Sequence, residues 1–160
     1  MIKLYHGSNM KVDVPNLLSS KPFKDFGRGF YLSDDKQQAW NMALQKVRQT
    51  RKGKVEVSEF LFDDHLLDSK ELNVLKFPDY SEEWALFVLK NRDQNEPQPA
   101  HDYDIVYGPI ADDGVTYQLR RFQGGVISLT KLIEELRYSK GITFQYFFGS
   151  ERALQKLTAI

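Results

Sequence analysis

Cysteine is absent from this 160-residue chain. That absence excludes a disulfide framework, thiol catalysis and every cysteine-containing metal site. Net charge is missing too: 22 Lys and Arg balance 22 Asp and Glu, so no global basic field draws the molecule onto a nucleic-acid backbone. No stretch approaches the length of a membrane span, and the opening MIKLYHGSN lacks the apolar segment of a signal peptide. The expectation is a cytoplasmic protein with no membrane partner. His6, His65 and His101 are far apart, with no HxxxH or HxH spacing, which argues against a metal site. No GxGxxG run opens a helix after a strand, the Gly27-Arg28-Gly29 fragment being too short, and no GxSxG elbow marks a serine nucleophile.

What is present fits an ordinary globular chain, with 41% hydrophobic and 28% charged residues. The 11 Phe and 8 Tyr imply a core built from large rings or a pocket lined by them. No repeat, low-complexity tract or composition shift divides residues 1–160, so a single domain is expected.

The pattern predicts strands over 2–6, 27–33, 54–63, 103–110 and 142–148. A bulge near Ser58 would account for a shift of apolar phase in the third. A long irregular loop is expected over 7–26, punctuated by Gly7, Pro15 and Pro22. Ala39, Trp40, Ala43, Leu44 and Val47 recur at helical spacing, predicting a helix over 34–50 with Ser33 as its N-cap. Further helices are expected after Ser81, around 112–123, after Ser128 and after Ser150. Strands and helices intersperse without regular βαβ spacing, so the fold class is α+β with a split, mostly antiparallel sheet and flanking helices.

Four groups of residues could carry chemistry. His6 ends the first strand directly before Gly7, where a missing Cβ lets a ligand approach the backbone. Its imidazole suits a pair of ribose hydroxyls, or is satisfied by its own backbone. Tyr31 alternates with Gly29 and Ser33, which makes either a flat stacking platform or a core tyrosine. Gln145 is a lone amide within the aromatic run FQYFF. It needs partners if buried, and either bridges backbone groups or faces the same cleft as His6 and Tyr31. The Asp112-Asp113 doublet after the fourth strand is either catalytic or a helix cap and first turn. The basic run Lys46, Arg48, Arg51, Lys52 and Lys54 reads as a solvated helix end.

LYHGS (4–8), DFGRGFYLSDDKQQAWNMA (25–43), EEWALFVLKNR (82–92), DIVYGPIADD (104–113) and FQYFFGSERAL (144–154) together resemble the DUF3990 family over essentially the whole chain. That family is related to ADP-ribosyltransferases of the His-Tyr-Glu type and occurs among bacterial toxin components. The resemblance implies a split antiparallel sheet with NAD, the co-substrate, in its cleft. It implies that His6 binds the adenosine ribose, that Gly7 offers backbone hydrogen bonds to the nicotinamide amide, and that Tyr31 stacks on the nicotinamide. Gln145 falls where the third motif often has glutamate. The implied function is an NAD-dependent mono-ADP-ribosyltransferase, the toxin of a pair whose partner is an antitoxin protein, acting on a protein, nucleic acid or nucleotide acceptor. The alternative is a module that binds NAD or ADP-ribose without turnover, because an amide takes no proton from an acceptor. A protein-interaction domain with a decayed cleft is disfavoured by the surviving His6 and Tyr31. If a base is needed, Asp112 and Asp113 are the nearest candidates.

Overall fold

The computed structural model describes residues 1–139 and 141–160. Among these it contains seven strands, β1 (Ile2–Ser8), β2 (Phe30–Leu32), β3 (Glu56–Phe62), β4 (Val74–Lys76), β5 (Ile105–Pro109), β6 (Phe144–Phe148) and β7 (Thr158–Ala159). The five α-helices of the described residues are α1 (Lys36–Thr50), α2 (Glu82–Arg92), α3 (Asp113–Gln123), α4 (Leu129–Arg137) and α5 (Glu151–Leu154). No helix among the described residues is long and apolar enough to cross a membrane.

The strands form two sheets, in the orders β1-β3-β7 and β2-β6-β5-β4. Every pairing is antiparallel except β4 with β5, so the α+β class with a split, mostly antiparallel sheet holds. A bridge joins the sheets, Tyr5 with Ser33, through backbone bonds of 2.7 and 2.9 Å.

Strand alternation explains the layering. Leu4, Phe30, Phe60, Phe62 and Phe148 project between the two sheets and are buried. On the other face of the β2-β6-β5-β4 sheet, Phe147 and Val106 meet Trp84 and Val88 of α2, Leu119 of α3 and Leu132 of α4. Burying each such side chain stabilises the fold by roughly 1.5–3 kcal/mol. Trp84 satisfies its indole by donating Nε1–H to the carbonyl of Pro109 at 3.1 Å, which fixes α2 against the end of β5.

Capping residues set the helix starts. Ser81, Asp112, Ser128 and Ser150 each accept from a backbone N–H in the first turn of the helix that follows. For α1 the expected cap is corrected: Asp35, not Ser33, accepts from Gln37 and Gln38 at 2.8 and 3.3 Å. Ser33 is held in the bridge to Tyr5, and its Oγ accepts from Asp35 N at 3.0 Å, so the helix begins two residues later. The bulge expected near Ser58 is also corrected. β3 pairs with β1 in unbroken register, Ser58 opposite His6, and Ser58 is buried in phase with Phe60 and Phe62. The serine looked out of phase only because it is polar; it accepts from Val12 N at 2.8 Å and ties the loop after β1 to the sheet. β4 and β7 have no counterpart among the expected strands.

Candidate functional site

Beside the Tyr5–Ser33 bridge lies a cleft of about 440 Å³, lined from both sheets and from α1. His6 from β1, Tyr31 from β2 and Gln145 from β6 all line it. Residues from opposite ends of the chain thus share one cavity, because β2 pairs with β6 and β1 crosses to Ser33. A second lobe of about 290 Å³ adjoins it, with His6, Ser19, Lys24, Tyr31 and Lys46 common to both.

His6 Nδ1 lies 2.7 Å from the Tyr31 carbonyl. A carbonyl only accepts, so Nδ1 carries the proton and Nε2 is left as the acceptor. His6 therefore meets a pair of ribose hydroxyls with an acceptor alone, because its donor is already committed. The ring stacks on Phe30 with centroids 4.1 Å apart. Burial pushes the imidazole down to about 4, with Lys46 and Lys24 adding to the effect, so His6 is neutral at physiological pH. This depressed value sets the sign of a pH effect. Below pH 6.5 the unfolded chain binds a proton that the folded chain refuses, and stability falls until the pH reaches about 4. The loss is at most about 3 kcal/mol. Urea midpoints measured from pH 7 to 4 should show this slope, and His6→Gln should reduce it to the part left by His101, whose imidazole is also held below its ordinary value by burial.

Gly7 differs from the expectation in its reason. A Cβ there would sit 1.8 Å from the Ala39 carbonyl oxygen, so the missing side chain admits α1, not a ligand. The backbone is nevertheless available. Tyr5 turns its N–H and C=O away from β3 to Ser33, and two residues later Gly7 turns its own to the same edge, where β1 has no further partner strand among the described residues. Gly29 is likewise a packing glycine, since a Cβ would lie 2.2 Å from the Phe147 ring. Ser33 lines the cleft but its hydroxyl is engaged with Asp35 N.

Tyr31 is locked at its hydroxyl. Its hydroxyl donates to the Gly27 carbonyl at 2.7 Å and accepts from Phe26 N at 3.0 Å. Burial, with Asp25 nearby, holds the phenol well above its ordinary pKa. The ring packs edge-on against Phe147 at 5.3 Å. The Lys24 ammonium stands 5.2 Å from the ring centroid, a cation over an aromatic face. Lys24 has a lowered pKa, chiefly from desolvation and then from Lys46 and Lys21.

Gln145 donates Nε2–H to Asp25 Oδ2 at 3.3 Å. In the sequence Asp25 stands inside a motif without a role of its own, and no local signal marks it. The lysines carry no signal either: Lys21, Lys24 and Lys46 line the main cavity, where no Asp or Glu does among the described residues, while Lys11 and Asp13 line the second lobe. The basic run is therefore divided. Arg48, Arg51, Lys52 and Lys54 are exposed as expected, whereas Lys46 belongs to the cleft and reaches Ser8 Oγ at 3.3 Å. One wall is a face of α1 carrying Gln38, Met42, Gln45 and Gln49, whose spacing of three and four residues was legible in the sequence. Asp112 is placed as the N-cap of α3, accepting from Val115 N at 2.8 Å, with Asp113 in the first turn.

No curated protein matches the chain. Residues 2–159 match the family described as protein of unknown function, DUF3990, and the chain belongs to that family.

Proposed function

We propose that the cleft binds NAD and transfers its ADP-ribose, as an NAD-dependent mono-ADP-ribosyltransferase. The observation that carries this reading is the composition of the main cavity: His6, Tyr31 and Gln145 converge there with three lysines and, among the described residues, no carboxylate, Asp13 lying in the second lobe. Such a lining suits a ligand that joins an aromatic ring and ribose hydroxyls to an anionic diphosphate. Tyr31 offers a fixed ring to the pyridinium, on the face where Lys24 now stands. His6 Nε2 can accept from a ribose hydroxyl, and the open edge of Gly7 can meet a carboxamide.

In the reaction the glycosidic bond to nicotinamide breaks and the base leaves neutral, taking the bonding pair. The ribose carbon passes through an oxocarbenium-like state, and an acceptor nucleophile closes on it. The chain's part is to position the ribose and to place an electron-rich oxygen by the developing cation. Gln145 Oε1 is suited to that role, since its amide nitrogen is held by Asp25.

A second reading, a module that binds NAD or ADP-ribose without turnover, is favoured by one observation. Gln145 takes no proton from an acceptor, and no carboxylate among the described residues lines the main cavity to do so in its place, Asp13 lining only the second lobe. Nicotinamide release from NAD, with and without cell lysate as the acceptor source, separates the two. Release that vanishes in Gln145→Ala is the enzyme's signature; binding without release identifies the module; no binding removes both.

The diphosphate assignment has its own test. Lys24→Ala is expected to weaken ADP-ribose binding by about tenfold and to reduce its salt dependence, since a charge contact to phosphate is lost. Free nicotinamide should bind no more weakly. Calorimetry at two salt concentrations reads both, and unchanged ADP-ribose affinity would move the diphosphate elsewhere.

A further inference from the structure

Asp25 lies behind Gln145 with both carboxylate oxygens engaged. Oδ1 accepts from Arg92 Nε at 2.8 Å and also from Nη2. Oδ2 accepts from Ala111 N at 3.2 Å and from Gln145 Nε2 at 3.3 Å. Arg92 is steadied in turn by Thr116 Oγ1 at 3.3 Å. Asp25 sits in the loop before β2 and its partners come from α2, from just after β5 and from β6, so the carboxylate stands where four segments meet. Its side chain is only 15% exposed.

A carboxylate accepts and cannot donate. It therefore dictates which way round the Gln145 amide sits: nitrogen toward Asp25, Oε1 away from it. From this geometry we infer that Asp25 is a positioning residue that acts through Gln145, and that the negative charge of this site stands at position 25, one hydrogen bond behind an uncharged relay at 145. The amide presents its oxygen to the ligand, and its hydrogen bond to an anion increases the electron density on that oxygen. Asp25 itself is the wrong group to touch substrate, because both its oxygens are already engaged. The inference rests on the NAD reading of the cleft.

The arrangement gives Gln145→Glu an outcome opposite to that of a simple repair. A glutamate would bring one of its oxygens to the place of the donor nitrogen, facing Asp25 Oδ2, and two carboxylates at that distance repel. Asp25→Asn alone sets two donors against each other. Combining the two restores a donor facing an acceptor between positions 25 and 145 with the polarity reversed; the bond from Ala111 N to Oδ2 is lost in D25N with or without Q145E, so it does not enter the coupling of the two positions.

The experiment is a double-mutant cycle on the full chain, with the parent, D25N, Q145E and D25N/Q145E. NAD affinity by calorimetry, nicotinamide release and thermal midpoint are read for each. Each single variant is expected to lower NAD affinity or release by about tenfold. The double variant should recover at least about fivefold over the product of the two losses. In addition, Q145E should gain activity as pH falls and its glutamate takes up a proton, because the protonated acid can again donate to Asp25, a dependence the parent lacks. A double variant no better than that product, in both affinity and release, overturns the inference. So does coupling that appears in the thermal midpoint alone, since that marks a purely structural contact. A parent that binds no NAD refutes the proposed function instead, and the thermal cycle then still shows separately whether residues 25 and 145 are coupled.

Discussion

Gly7→Ala is expected to destabilise the fold by about 3 kcal/mol or more, at the upper end of overpacking effects. The added methyl would lie 1.8 Å from Ala39 O, 2.8 Å from Ala39 C and 2.9 Å from Ala43 N. All three are backbone atoms of α1, so no rotamer change relieves the clash. The helix would have to lift off β1, and Ala39 and Ala43, both buried on that face, would lose their packing. Because α1 is also a wall of the cleft through Gln38 and Gln45, NAD affinity should fall with stability. Gly114 supplies the contrast. It lies in α3 with only Asp112 Oδ1 near, at 3.5 Å, so Gly114→Ala should be neutral or raise stability by about 0.5–1 kcal/mol. Urea unfolding of the two variants beside the parent reads the difference; a Gly7→Ala protein as stable as the parent would refute the close packing of α1 on β1.

Tyr31→Ala is expected to weaken NAD binding by roughly tenfold to a hundredfold, through loss of a stacking face for a cationic ring. The variant Tyr31→Phe divides the side chain into ring and hydroxyl. Stacking needs only the ring, which on sequence grounds alone makes this change mild. For stability the hydroxyl has a role of its own. The hydroxyl satisfies both Phe26 N–H and Gly27 C=O, and those two residues are buried. Removing it should cost about 1–3 kcal/mol and loosen the Lys24–Gly27 turn that carries Asp25 and Lys24. Calorimetric NAD affinity and a melting curve, measured on both variants, separate the effects. Tyr31→Phe should bind NAD far better than Tyr31→Ala while melting well below the parent. If Tyr31→Ala bound as tightly as the parent, Tyr31 would have no stacking role.

Several features were readable without coordinates because their causes are local. Ser81, Asp112, Ser128 and Ser150 cap helices as expected, since an oxygen one or two atoms from the backbone finds its N–H within one turn. Strands β1, β3, β5 and β6 were recognised by their β-branched and aromatic runs. β4 escaped because three residues on a sheet edge are too few to show a period, and its parallel partner β5 lies beyond the whole of α2 in the chain. β7 escaped for the same reason of length: two residues pair with Phe60 and Leu61.

The division is clearest in the site. Sequence by itself determined the α+β class, a single family over residues 2–159, and the identities of His6, Tyr31 and Gln145 as the residues to watch, because motif and period are properties of the chain read in order. Tertiary structure alone decided what each is paired with: His6 Nδ1 with Tyr31 O, the Tyr31 hydroxyl with Phe26 and Gly27, and Gln145 with Asp25, 120 positions apart. It also decided that Gly7 serves α1 and that Lys46 faces the cleft while its neighbours in the basic run face water. A hydrogen bond or a clash depends on distances of a few ångströms between distant segments, and those distances exist only once the two sheets have packed.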